Sequence, residues 1–228
     1  MDYDIEGHQE MTLDEIAEWQ SFNYMLPKPE GATLLGPPGC AKTVFVKETL
    51  RKVCAEARGL ALEAVHVIVT QPSCYDSIEY AGVGVPQKRE DGQLATRFSV
   101  PALIEQIEAA RAAGAEFIIL LFDEIAAAND DMQKLLAGAF NPEENRIAAF
   151  DLGENIQAVG TGNTIADKAG SRKLLTHVVN RQGIVVVKKD HGGWFRWAEA
   201  NDVMTLIIEC AKVNPDFFAD AVPKGEAQ

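Results

Sequence analysis

Residues 34–46 read LLGPPGCAKTVFV, and this stretch constrains the fold more than any other. Two apolar residues run into Gly36, Pro37, Pro38, Gly39, Cys40 and Ala41, and Lys42 and Thr43 follow. The spacing is that of a phosphate-binding loop, GxxxxGK[ST], with Ala41 where the pattern has its second glycine. Such a loop works because successive backbone N–H groups point into one concavity at the start of a helix, whose dipole favours an anion. Lys42 then reaches the β- and γ-phosphates, and the Thr43 hydroxyl coordinates Mg²⁺. Alanine keeps its N–H and adds one methyl, so it is tolerable where the backbone angle is helical. A Gly/Pro-rich turn ahead of an ordinary helix would also account for these residues. The apolar run before the loop and the helix-compatible run over 43–58 favour the phosphate loop.

The rest of the chain alternates between strand and helix patterns. Apolar, β-branched runs predict strands over 32–35, 64–70, 116–122, 155–160 and 183–187. Thr12 with Glu15 forms a capping-box signature, and the helix it opens is expected to end before Pro27. Further helices are expected over 43–58, 101–113, 129–140 (with Asn129 as N-cap), 169–181 and 194–213. Residues 2–10 read as a polar start, and 214–228 as a polar tail. Residues 71–100 are the least regular part, and 142–152 form a partly charged, variable stretch. The alternation predicts a parallel sheet with helices on both faces: a three-layer α/β/α phosphate-loop fold with five strands. Residues 1–190 would form this core, with a short helical appendage over 191–228.

Composition narrows the partners. The 228 residues are 47% hydrophobic, enough for a real core, and carry a formal net charge of −13. That balance disfavours a generic binder of nucleic-acid backbones. Cys40, Cys54, Cys74 and Cys210 are scattered, with no C-x-x-C pair, as expected of reduced thiols in a cytoplasmic protein rather than a disulfide or zinc framework. The first ten residues, MDYDIEGHQE, hold no apolar signal core. The longest strongly apolar run, 117–122, is too short to span a bilayer.

Three further stretches carry chemistry. FIILLFDEI, residues 117–125, is an apolar strand ending in Asp-Glu. Beside a phosphate loop, Asp123 would hold the Mg²⁺ hydration shell and Glu124 would orient and polarise an attacking water. Two exposed acids after a buried strand are common on their own; the phosphate loop upstream gives the pair its meaning. VGTGN, residues 159–163, puts Asn163 at a strand tip. If that strand lies between those over 32–35 and 116–122, Asn163 reaches the γ-phosphate or the water. A turn asparagine beside glycine is the plainer reading. Lastly, Arg181 follows an apolar helix face and precedes a strand. There it could reach a neighbouring subunit's nucleotide, or simply cap its own helix. Arg172 is a rival for the same role.

In this order and at these separations, the four pieces resemble the AAA+ ATPases and, within them, the MoxR-like group. GPPGCAKT is similar to the group's GPPGxAKT loop, LLFDEI to its Walker B and GTGN to its sensor 1. NRQGIVVV, residues 180–187, resembles the segment that carries the arginine finger, with Gln182 in place of the usual aromatic. Residues 72–85 with Pro101 resemble the segment that contacts substrate or neighbours, and 146–155 the insertion before sensor 1. The resemblance spans residues 12–210. It extends to compact bacterial and phage members through WFRWA at 194–198 and NPDF at 214–217. The resemblance implies ATP and Mg²⁺ as ligands, ATP hydrolysis, and a homo-oligomeric ring, most often a hexamer. It also implies a protein partner that is remodelled or activated, often one with a von Willebrand factor A domain. Family members usually carry a helical lid with a sensor-2 arginine. Only residues 188–228 follow the last strand, so the lid is expected to be reduced or absent, and Arg196 is not assigned that role. Other readings are a nucleotide-gated binding module with little turnover, a small-molecule kinase, and a nucleic-acid motor using Lys88, Arg89 and Arg97 in a pore.

Overall fold

The computed structural model describes residues 8–164 and 172–214. The chain divides into two compact units, Met1–Lys188 and Lys189–Gln228. The first begins with β1 (Gln9–Met11), α1 (Leu13–Tyr24), β2 (Gly31–Leu35), α2 (Lys42–Val44), α3 (Arg51–Arg58) and β3 (Val65–Thr70). A short α4 (Ser77–Ala81) leads to the hairpin of β4 (Gly84–Lys88) and β5 (Leu94–Phe98). Next come α5 (Ala102–Ala112), β6 (Phe117–Phe122) and α6 (Asp130–Phe140), then the small hairpin of β7 (Arg146–Ile147) and β8 (Phe150–Asp151). β9 (Ile156–Gly162), α7 (Thr176–Val179) and β10 (Gln182–Val187) complete it. The second unit holds α8 (His191–Ala200) and α9 (Thr205–Val213).

Six strands form one parallel sheet in the order β1-β10-β2-β9-β6-β3. β6 shows why it is covered on both sides. All six of its residues are buried, and successive side chains point to opposite faces. Phe117, Ile119 and Leu121 pack with Leu34, Val46, Leu50 and Cys54. Ile118, Leu120 and Phe122 pack with Leu103, Ile107, Leu136 and Phe140 on the other face. The result is the three-layer α/β/α phosphate-loop architecture expected from the AAA+ resemblance. Parallel pairing puts the C-terminal ends of β2, β9, β6 and β3 along one rim of the sheet.

Several local expectations change. Among the described residues the sheet has six strands rather than five, because Gln9–Met11, of which Gln9 and Glu10 were read as part of a polar start, pairs with β10. An edge strand of three residues needs only backbone bonds, so its polar side chains gave no signal. Residues 71–100 are more ordered than their composition suggests: the β4–β5 ribbon is solvated on nearly every residue, which removes the period-2 pattern. The variable stretch 142–152 contains the β7–β8 hairpin. The helix over 43–58 is continuous but includes a π-turn at Phe45–Leu50. The helix expected over 169–181 is confined, among described residues, to α7; positions 169–171 lie outside them. The helix over 194–213 is two helices, broken where Asp202 takes φ 54°. Positions 2–7 and 215–228, including Pro215 to Phe217 of the NPDF segment, also lie outside the described residues.

Two features of this core are open to measurement. Gly31 begins β2 against the end of α6, where an added Cβ would lie 2.6 Å from the Phe140 carbonyl oxygen. Gly31→Ala is expected to destabilise the protein by about 1–3 kcal/mol in urea unfolding; an unchanged midpoint would refute this packing. Burial also pushes the Cys54 thiol up from 9.0 to about 12, and raises the Tyr24 hydroxyl. Below pH 9 the thiol is protonated whether folded or not. Above it the unfolded chain releases a proton that the native state keeps, so stability falls as pH rises towards 12. Cys54→Ala is expected to flatten that decline in urea midpoints measured from pH 8.5 to 11.

Candidate functional site

The phosphate loop leaves the rim end of β2, and its backbone shape follows from its residues. The Gly36 N–H donates to the Gly162 carbonyl at 3.1 Å, so the loop's first residue is tied to the end of β9. Pro37 and Pro38 have fixed φ. Gly39 takes φ 81° and Ala41 φ 61°, both left-handed, with Cys40 between them on the ordinary side. Alternation of hand through three residues turns successive N–H groups into a concave anion nest. The helix starts immediately afterwards at Lys42. Ala41 is therefore helical in the left-handed sense, which costs an alanine roughly 1–2 kcal/mol. The concavity needs that conformation, and the missing glycine makes it a strained one.

Lys42 is buried, and its ammonium is held at 2.8 Å by the Gly36 carbonyl and at 2.9 Å by the Pro37 carbonyl. The Asn163 Oδ1, just past the end of β9, accepts a third bond at 3.2 Å. The Thr43 hydroxyl donates to Asp123 Oδ1 at 2.8 Å. Asp123 follows β6, and its N–H extends the ladder to the Thr70 carbonyl at 2.8 Å. Thr161 of β9 also hydrogen-bonds to Asp123 through its hydroxyl. Glu124 then reverses the chain with φ 55° and ψ 37°. Its carboxylate accepts from the Gln71 side-chain amide at 2.6 Å.

One open cleft of about 300 Å³ is lined by Pro38, Gly39, Lys42, Asp123, Glu124 and Asn163. Ala41, Thr43, Thr161 and Gly162 also face it. A buried ammonium and a nest of N–H groups suit the oxygens of a polyphosphate. A hydroxyl beside a carboxylate suits a hard divalent cation such as Mg²⁺, which takes few protein ligands and keeps water or phosphate in its other positions. Among the described residues no group of three or more His, Cys, Asp or Glu could hold a metal without such help.

The structure thus gathers Lys42, Thr43, Asp123, Glu124 and Asn163, together with the loop from Gly36 to Ala41. β9 lies between β2 and β6, the position in which Asn163 was expected to reach the site. Arg181 and Arg172 do not line the cleft. Arg181 precedes β10, whose first residue pairs with Gly31 at the far end of β2. Roughly 13 Å of strand separates the two ends. Its guanidinium pairs with Glu144 at 2.7 Å. Arg172 is exposed, and its backbone N–H donates to the Ala126 carbonyl. Two contributors were missed in the sequence: Thr161, inside the stretch read only for Asn163, and Gln71, directly after β3. Both sit at strand ends on the ligand side of an open α/β sheet, the signal that would have found them.

No protein-family model matches the chain, and neither does any curated protein. Among solved structures it is similar to an ATPase candidate from Cytophaga hutchinsonii, at 15% identity and a TM-score of 0.49 over 86% of this chain and 52% of that one. It is also similar to Aeropyrum pernix ORC1, solved in complex with DNA, at 20% identity and a TM-score of 0.48 over 88% and 53%. The Thermotoga maritima RuvB Holliday junction branch migration motor follows at 16% identity and 0.44 over 83% and 50%. The chain spans about half the length of these structures. The fold rests on the strand order and loop geometry above. Among the described residues no helix is long and apolar enough to cross a membrane.

The left-handed turn at Ala41 separates a steric requirement from a chemical one. Ala41→Gly is expected to bind nucleotide as the parent does, with stability within about 1 kcal/mol. Ala41→Val places a β-branched residue where φ is positive and is expected to weaken binding at least roughly tenfold. Titration with a fluorescent ATP analogue measures both, and tight binding by the valine variant would show that the nest is not the binding element.

Proposed function

We propose that the chain is a Mg²⁺-dependent ATPase that works as a ring of copies, of the MoxR-like AAA+ kind, and remodels or activates a protein partner. The observation that carries this reading is the meeting of Lys42, Thr43, Asp123, Glu124 and Asn163 in one cleft at the ends of three parallel strands. The nest from Gly36 to Ala41 would bind the β- and γ-phosphates, with Lys42 at their centre. Thr43 and Asp123 would hold Mg²⁺, which supplies charge neutralisation on the phosphate oxygens. Glu124 would orient the attacking water and take up its proton, and Asn163 would report on the γ-phosphate. Arg181 stands too far from the cleft of its own chain, so it would serve the cleft of a neighbouring copy, with Arg172 as the rival candidate.

The net charge of −13 favours a protein target over nucleic acid, and a von Willebrand factor A-type partner fits the group resembled. Cys40, Cys54, Cys74 and Cys210 are free thiols, in keeping with a cytoplasmic setting. The core would occupy residues 1–190 and the helical appendage 191–228.

One observation favours a second reading, a nucleotide-gated module with little turnover: Glu124, the base, is tied to Gln71 at 2.6 Å. Multiple-turnover phosphate release, compared with nucleotide binding, separates the two. Under the leading reading Glu124→Gln is expected to lower kcat at least roughly a hundredfold while keeping nucleotide affinity within a few-fold, and Lys42→Ala to lose affinity. Unchanged turnover in Glu124→Gln would sink the catalytic assignment. Specific activity is also expected to rise with protein concentration; full activity from a monomer would remove the trans-acting arginine.

A further inference from the structure

The ion pair of Arg181 looks at first like an ordinary surface contact, and most such pairs do little. Its carboxylate, besides meeting Arg181, is held by a side-chain bond and carried on an ordered turn. Glu144 sits in the turn after α6, where Asn141 organises the backbone. The Asn141 carbonyl accepts from the N–H groups of Glu144 at 3.1 Å and Asn145 at 2.8 Å. The Asn141 Oδ1 accepts from the Glu143 N–H at 3.0 Å. The turn is closed at its far end by the Leu152 N–H, which donates to the Asn145 carbonyl at 2.9 Å, and by the Asn145 amide, which donates to the Gly153 carbonyl. The side chain is held as well: Asn141 Nδ2 donates to Glu144 Oε1 at 3.3 Å, while Glu144 Oε2 accepts from Arg181 Nη1 at 2.7 Å. The adjacent acid, Glu143, faces a different partner, Lys28, at 3.2 Å.

Among the described residues the guanidinium is engaged through Nη1 alone. Among the described residues its other edge, Nε with Nη2, meets no hydrogen-bonding partner. That edge can form two parallel bonds to a carboxylate or phosphate. Arg181 is also only about one-third exposed, so it is steadied without being enclosed.

We propose that Glu144 is the positioning residue for Arg181: anchored by Asn141, it grips one side of the guanidinium and presents the Nε–Nη2 edge to an anionic phosphate group outside its own chain. This rests on the reading of Arg181 as acting on a neighbouring copy. A side chain with many rotamers would then arrive at the phosphate already oriented, and misplacement by an ångström costs a large factor in rate. Glu144 touches no substrate; its effect passes through Arg181.

Mixed assemblies test the two claims separately. Glu124→Gln supplies Arg181 but does not turn over, and Arg181→Ala keeps an intact cleft but supplies no arginine. Mixing them is expected to restore ATP hydrolysis. If it does not, the trans-acting reading of Arg181 fails, and the role of Glu144 falls with it. With that restoration in hand, Glu144→Ala is added to one partner at a time. On the arginine donor it is expected to lower the restored kcat roughly ten- to a hundredfold with KM within twofold. On the acceptor it is expected to change nothing. No effect on the donor, or an equal loss on both, overturns the positioning role while leaving the trans-acting arginine standing. Should Glu144→Ala prove unfolded by circular dichroism, Glu144→Gln, which keeps the shape and removes the charge, carries the same comparison.

Discussion

The hydrogen bond from the Thr43 hydroxyl to Asp123, 2.8 Å long, joins the helix that follows β2 and its loop to the first residue beyond β6. It forms because β2 and β6, each paired in parallel with β9, end on the same rim. That in turn requires every crossover between them to return the chain in the same direction, which is what a parallel sheet with covering helices achieves. β9 fills the gap between the two strands and adds the Thr161 hydroxyl to the same carboxylate. The site is thus a property of strand alignment before it is a property of any side chain. A slip of one residue between β9 and its neighbours would send Thr161 to the other face and Asn163 away from Lys42.

Around that alignment the backbone holds strained conformations at two points of the candidate site, Ala41 and Glu124, both non-glycine residues in the left-handed region. Such positions persist only where surrounding structure over-determines them. Ala41 is fixed between the Gly36 tether and the helix beginning at Lys42. Glu124 is fixed between the buried β6 and the turn at Ile125–Ala127. The rigid sheet gives the loop its shape, and the loop gives the cleft its polarity.

Much of this was legible from residues alone, and the reason differs by element. β6 could be read because a strand buried on both faces must be apolar throughout, and Phe117 to Phe122 are. The phosphate loop could be read because few residue types tolerate its backbone. β1 could not, since Gln9 and Glu10 are exposed and pair only through their main chain. The β4–β5 ribbon was hidden for the same reason. Gln71 and Thr161 are marked in the sequence only by standing at strand ends; their partners in the site come from neighbouring strands, an adjacency no local pattern records. The link between Arg181 and Glu144 spans 37 positions and depends on two turns meeting, so nothing nearby in the sequence announces it.

The placement of Arg181 has one more consequence. It lies at the end of β10 that pairs with the start of β2, while the cleft opens at the other end. In a two-fold dimer both copies offer the same patch to each other, and here such a patch would have to contain both ends of the sheet at once. An assembly in which Arg181 completes a neighbour's cleft is therefore polar, with the back of one copy against the front of the next. Contacts of that kind do not fix a number of subunits by themselves. The rotation between successive copies decides whether the series closes on itself or runs on as a filament, so stoichiometry becomes a matter of angle rather than of affinity.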